Sequence, residues 1–129
     1  MTIVDIINTK RILNLPHPTT DKMIINAEKA LGLNFTKEYK DYVKHFGTIV
    51  YYGHELTGLN TVKYKNVVYL TLKEKNNFDI IADDWYVIEQ LHIDGIVIWQ
   101  SSTGEIYQTA PGSKPEKICN TLAEYIQLD

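Results

Sequence analysis

The chain has 129 residues, 44% of them hydrophobic and 22% charged, with a net charge of −3. That is enough for one hydrophobic core, too little for two ordinary domains, and too apolar for disorder to be the default. The lone cysteine, Cys119, excludes an intramolecular disulfide and a thiol-based metal cluster within one chain.

The opening MTIVDIINTK has no basic start followed by an apolar run, because Asp5 interrupts it. Apolar runs such as IVIW at 96–99 are far too short to cross a bilayer. With no repeat, low-complexity tract or Pro/Gly-rich linker, the expectation is one cytoplasmic domain over residues 1–129 that does not enter a membrane.

The first half reads as helical. Residues 2–13 fit a short amphipathic helix with Ile3, Ile6, Ile7 and, at its end, Leu13 turned inward. The LPHP segment at 15–18 ends it, since proline breaks a helix interior. Thr19 or Thr20 caps a second helix, Asp21 favours its positive end, and Met23, Ile24, Ala27, Ala30 and Leu31 form one apolar face that stops at Gly32. Thr36 caps a third, with Phe35, Tyr39, Tyr42, Val43 and Phe46 on one side, Lys37, Lys40, Asp41 and Lys44 on the other, and Gly47 as terminator.

The period then changes. TIVYY at 48–52, WYVIEQ at 85–90, GIVIWQ at 95–100 and EIYQTA at 105–110 are β-branched and aromatic runs. Turn signals at Asp94-Gly95 and Ser102-Thr103-Gly104 make an antiparallel meander the simplest arrangement. The stretch 66–76 stays open: its β-branched content fits a strand, while the spacing of Val67, Leu70, Thr71 and Glu74 fits a helix. At the C-terminus, Thr121 and Glu124 have capping-box spacing ahead of Leu122, Tyr125 and Ile126, which predicts a short last helix.

Charge divides along the chain. Residues 1–75 carry eleven Lys/Arg against seven Asp/Glu, whereas residues 76–113 carry no Lys or Arg and six acids: Asp79, Asp83, Asp84, Glu89, Asp94 and Glu105. Such a stretch repels phosphate backbones and attracts basic protein surfaces, so nucleic acid is not an expected partner.

Catalytic chemistry finds little support. His17, His45, His54 and His92 have no i, i+3 or i, i+4 pairing, so no metal and no cofactor is expected. Cys119 lies between Ile118 and the capped last helix with no nucleophile motif around it, and reads as space-filling. Asp83 and Asp84 are adjacent, a spacing that points carboxylates apart, so they read as a solvated loop rather than an acid–base pair. Trp85 beside them is a reasonable anchor for a basic protein partner. Among the tyrosines, Tyr39, Tyr42 and Tyr125 are expected to pack. Tyr51 and Tyr52 must point to opposite faces, and one of them, with Tyr86 and Tyr107, is a candidate for an open sheet face. No Gly-rich phosphate loop, nucleophile elbow or zinc signature is present. Protein binding without catalysis is the reading that follows.

Four stretches, in this order, resemble the SUKH superfamily of bacterial toxin-immunity proteins and a fungal cell-wall-synthesis regulator. EKALGLNFTKEYKDYVKHFGT at 28–48 is similar to its opening helix pair, and GHELTGL at 53–59 to its segment after the first strand. IDGIVIWQSSTGEIYQ at 93–108 is similar to its central hairpin, and KICNTLAEYI at 117–126 to its closing helix. Gln100-Ser101 departs from the family's acid before the hairpin turn, and Phe35-Thr36 from its common proline.

The resemblance implies an α+β fold: a single twisted, mainly antiparallel sheet with N-terminal helices, a middle helix at 64–75 and a short C-terminal helix packed around it. It also implies a non-catalytic immunity protein that neutralises a cognate toxin domain, commonly a nuclease or other nucleic-acid-modifying enzyme; an intracellular adaptor or regulator is the alternative. The expected contact pool is Glu55, Asp79, Asp83, Asp84, Trp85, Glu89 and Asp94, on a monomer or weak homodimer.

Overall fold

The computed structural model describes residues 1–128. Helix α1 (Ile3–Asn8) starts on a reciprocal capping box: the Asp5 N–H donates to Thr2 Oγ1 and the Thr2 N–H to Asp5 Oδ2, both at 3.1 Å. Helices α2 (Asp21–Leu31) and α3 (Lys37–Phe46) start on Thr20 and Thr36, whose hydroxyls accept from the N–H groups of Met23 and Tyr39. Each such cap contributes about 1 kcal/mol. Gly32 closes α2 in the left-handed conformation expected of it, with φ 66°.

Helix α1 is shorter than the apolar pattern over 2–13 predicts, and Leu13 is 63% exposed. Beyond Asn8 the chain is drawn alongside the next element, β1 (Ile49–Tyr51): the Leu13 N–H donates to the Val50 carbonyl at 2.8 Å, and Asn14 bonds both the Val50 N–H and the Thr48 carbonyl. Satisfying that strand edge outweighs one more helical turn.

β1 pairs antiparallel with β2 (His54–Leu56) across the two-residue turn Tyr52-Gly53. The ambiguous stretch resolves as helix α4 (Val67–Lys75): Asn66 Oδ1 accepts from the Val68 and Tyr69 N–H groups, and Val67, Leu70, Thr71 and Glu74 are the buried positions. A cap and one buried stripe prevail over β-branched propensity. Then come β3 (Tyr86–Gln90), β4 (Val97–Gln100), β5 (Ile106–Thr109) and β6 (Glu116–Cys119), an all-antiparallel sheet in sequential order, and α5 (Leu122–Ile126), capped by Thr121.

The expected α+β antiparallel architecture is therefore present, but its strands divide into this four-stranded sheet and the separate β1–β2 hairpin. The hairpin reaches β3 through Thr57, whose N–H donates to the Ile88 carbonyl and whose hydroxyl donates to the Val87 carbonyl, at 2.8 and 2.7 Å. β3 carries a register shift between Val87 and Glu89 at this point, which interrupts regular pairing. β2 and β6 have no clear alternating signal in the sequence. Both are short and lie at sheet margins, where packing imposes little pattern.

The four-stranded sheet has two covered faces. Tyr86, Ile88, Ile98 and Ile106 join the main core with residues of α1, α2, α3 and α5. Val87, Val97 and Trp99 face the other way and form a smaller core with Leu70 of α4, flanked by Phe78, Ile81 and Trp85.

Candidate functional site

The acidic pool does not form one patch. Strand alternation from Tyr86 would point Glu89 outward, opposite Ile88. The register shift lets both residues turn inward, with Glu89 opposite Ile98, and Glu89 is only 2% exposed. Its carboxylate accepts from the Tyr125 hydroxyl at 2.6 Å and the Glu55 N–H at 2.9 Å, and contacts His54 Nδ1 at 2.9 Å. Glu89 thus ties β3, β2 and α5 together inside the core, and its expected place on a contact surface is corrected. Glu55 is half-buried, with its own carboxylate 3.2 Å from Lys65 Nζ.

The remaining acids fall at the two ends of the α4-covered sheet face. Asp83, Asp84 and Trp85 sit where β3 begins, next to the β4–β5 turn. Asp84 accepts from the Ser102 N–H and hydroxyl, at 3.1 and 2.7 Å, so its carboxylate holds that turn. Asp83 is exposed, and its carbonyl receives Lys75 Nζ at 2.9 Å. Burial pushes the Lys75 ammonium down, opposed by the nearby Asp83 and Asp84. In the same turn, Ser101 and then Thr103 donate to Glu105, pulling its carboxyl down to about 2. Asp79 and Asp94 are exposed and belong to the other end, in the α4–β3 loop and the β3–β4 turn.

A line of aromatic rings connects the two ends. Phe78 meets Trp99 edge-on at 6.4 Å, Trp99 lies 6.4 Å from Trp85, and Trp85 stacks on Tyr107 at 4.2 Å and 14°. Trp99 anchors the line by donating its indole N–H to the Thr109 hydroxyl at 2.8 Å. At the Phe78 end a groove of about 370 Å³ opens between residues 77–80 and 109–115. Sequence reading found Trp85 and Tyr107 but not this groove, which is made by two loops with no motif of their own.

The tyrosine expectations hold with one correction. Tyr39, Tyr42 and Tyr125 are buried, Tyr51 is buried, and Tyr52 stands 73% exposed at the hairpin turn. Tyr86 does not lie on an open face. It is buried on the main-core side and donates to Gln100 Oε1 at 2.7 Å, while Gln100 Nε2 donates to Glu38 and to the Gly104 carbonyl. Gln100 thus links the sheet to the start of α3. Burial pushes the Tyr39, Tyr42 and Tyr86 hydroxyls well above the ordinary tyrosine range. Cys119 is half-buried and donates to the Thr121 carbonyl, and burial pushes its thiol up, away from nucleophilic thiolate. Among the described residues, no group of three or more His, Cys, Asp or Glu is placed to hold a metal ion, and no helix is long and apolar enough to cross a membrane.

Fold and site together define a helix-flanked antiparallel α+β protein whose smaller core is an aromatic line, buried at Trp99 and half-buried at Phe78, Trp85 and Tyr107, with acids at its two ends. The chain belongs to the SUKH family: the family profile described as SMI1-KNR4 cell-wall matches residues 2–127. No curated protein matches it.

Proposed function

We propose that this protein is an immunity protein. It binds a cognate toxin domain, a nuclease or another nucleic-acid-modifying enzyme, and blocks that enzyme's substrate-binding surface. Membership of the SUKH family across residues 2–127 carries this reading, because the resemblance brings toxin neutralisation with it. The charge distribution supports it: an enzyme that grips nucleic acid presents a basic surface, and the segment 76–113, without a single Lys or Arg, is its electrostatic complement. Glu55, Asp79, Asp83, Asp84, Trp85 and Asp94 are the contact pool, with Glu89 withdrawn into the core. The protein works without catalysis, cofactor or metal, in the cytoplasm, as a monomer or weak homodimer.

The test is to co-express the chain with any toxin domain that a neighbouring gene encodes. Growth rescue by the wild-type chain is expected, with rescue lost on reversing Asp79, Asp83 and Asp94 to lysine. Asp84 is left intact because its carboxylate holds the β4–β5 turn. Absence of rescue by the wild type refutes immunity; rescue that survives the reversals refutes the surface. The cell-wall description of the matching profile favours a second reading, an intracellular adaptor for a cellular partner. Stable complexes with such a partner in cells lacking any toxin gene would select it.

A further inference from the structure

The groove at the end of the aromatic line has the features of a side-chain receptor. Its floor continues into the smaller core: Phe78 and Thr109 line it, and these same two residues contact Trp99 beneath. Its walls are braced. The Asn77 amide donates to Glu74 at 2.6 Å on one side, and the Ser113 N–H donates to the Ala110 carbonyl at 3.1 Å on the other. A cavity of about 370 Å³ lies in the range of pockets that take a small organic group (~300–1,000 Å³). Fixed walls keep the entropic cost of filling it low.

The rim carries exposed apolar side chains. Ile80, in the wall, is 71% exposed, and Ile93 in the β3–β4 turn is 59% exposed. That turn packs on the opposite wall, since a Cβ added at Gly95 would lie 2.9 Å from Pro111. Asp79 stands in the 77–80 wall, while exposed Asp94 lies in the turn beside the 109–115 wall, which also carries Lys114. A slot floored by Phe78, with Asp79 in one wall and Asp94 in the turn beside the other, within a segment 76–113 that has no Lys or Arg, matches an apolar side chain flanked by cations.

We infer that the groove between residues 77–80 and 109–115 is the primary docking site for the partner, and that it takes an aromatic or large aliphatic side chain flanked by Lys or Arg on a basic protein segment. The inference rests on the protein-binding reading above and specifies where that binding is anchored. Trp85 and Tyr107, at the other end of the line, extend the contact, while the groove supplies the anchor.

The probe is the acetylated, amidated peptide Lys-Lys-Phe-Lys-Lys, titrated into the isotope-labelled full chain and followed by amide NMR shifts. Saturable shifts at residues 78–80, Ala110 and 112–114 are expected, with a dissociation constant at or below about 1 mM. Lys-Lys-Ala-Lys-Lys and Glu-Glu-Phe-Glu-Glu should bind at least about tenfold more weakly. The double substitution Asp79→Lys, Ile80→Lys changes two exposed side chains and should abolish the shifts while leaving the amide spectrum folded. No saturable shift, shifts centred elsewhere, or equal binding of the acidic peptide overturns the inference. In the co-expression assay, a double variant that still rescues overturns the groove but leaves immunity standing. Failure of the wild type to rescue overturns immunity, while the peptide titration still decides the groove.

Discussion

Three buried phenols make the stability of this protein fall steeply at alkaline pH. Tyr39 and Tyr42 lie in the core with their hydroxyls on Thr57, and Tyr86 bonds Gln100. Burial raises all three above the ordinary value of 10.0. A group whose folded pKa is raised stabilises fully below its unfolded pKa, and that contribution is lost as pH climbs toward the folded value. Each tyrosine then costs about 1.4 kcal/mol by pH 11 and about 2.7 by pH 12, so the three together remove about 4 and about 8 kcal/mol. Lys75, whose pKa is lowered, acts in the opposite direction. Against a typical domain stability of about 5–15 kcal/mol, unfolding between about pH 11 and 12.5 follows.

Urea unfolding by circular dichroism at pH 8, 10 and 11 measures the loss, and absorbance at 295 nm reports phenolate. The ionisation of these residues should appear cooperatively, with unfolding. Tyr42→Phe should cut the pH slope by about a third, since one releasable proton is gone. A loss of less than about 1 kcal/mol between pH 8 and 11, or no change of slope in the Phe variant, refutes the reasoning.

Removing the Glu89 carboxylate takes a buried acceptor from the Tyr125 hydroxyl, the Glu55 N–H and His54; Glu89→Ala should cost about 3–5 kcal/mol, seen as a drop in Tm of about 10–18 °C. Glu89→Gln keeps an acceptor oxygen and should cost less than half as much; equal losses would show that hydrogen bonding at this site is unimportant. A Cβ at Gly58 would lie 1.6 Å from the Gly47 carbonyl oxygen, a backbone atom, so Gly58→Ala should destabilise by about 3 kcal/mol in denaturant titration, whereas Gly53→Ala meets no neighbouring atom and pays only for its positive φ. Glu105 should titrate near 2 by carbon-detected NMR, its stabilising effect present above pH 4.5 and lost as pH falls toward that midpoint. Ser101→Ala, which removes the 2.5 Å hydroxyl donor, should move the midpoint toward 4.5.

What the sequence determined by itself is largely local. Thr36 and Thr121 were legible as caps, and the second cap as Thr19 or Thr20, because a cap is one side chain reaching a backbone N–H within three residues. The packing of Tyr39, Tyr42 and Val43 followed from helical spacing, and the antiparallel meander from its turn residues. The excess of acid over residues 76–113 was countable, and the SUKH likeness was readable from four ordered stretches.

Tertiary structure decided everything that depends on a second element. Asn66 capping and packing on β3 made a helix of Val67–Lys75, whose own residues fit either state. One register shift, opposite strand partners the sequence does not name, turned Glu89 from a surface acid into the centre of a buried network. The same sheet sent Asp83 and Asp84 to one end and Asp79 and Asp94 to the other. The groove at that second end is built by residues about thirty positions apart that carry no periodic signal, because it is a product of how two loops leave a sheet rather than of any pattern within either.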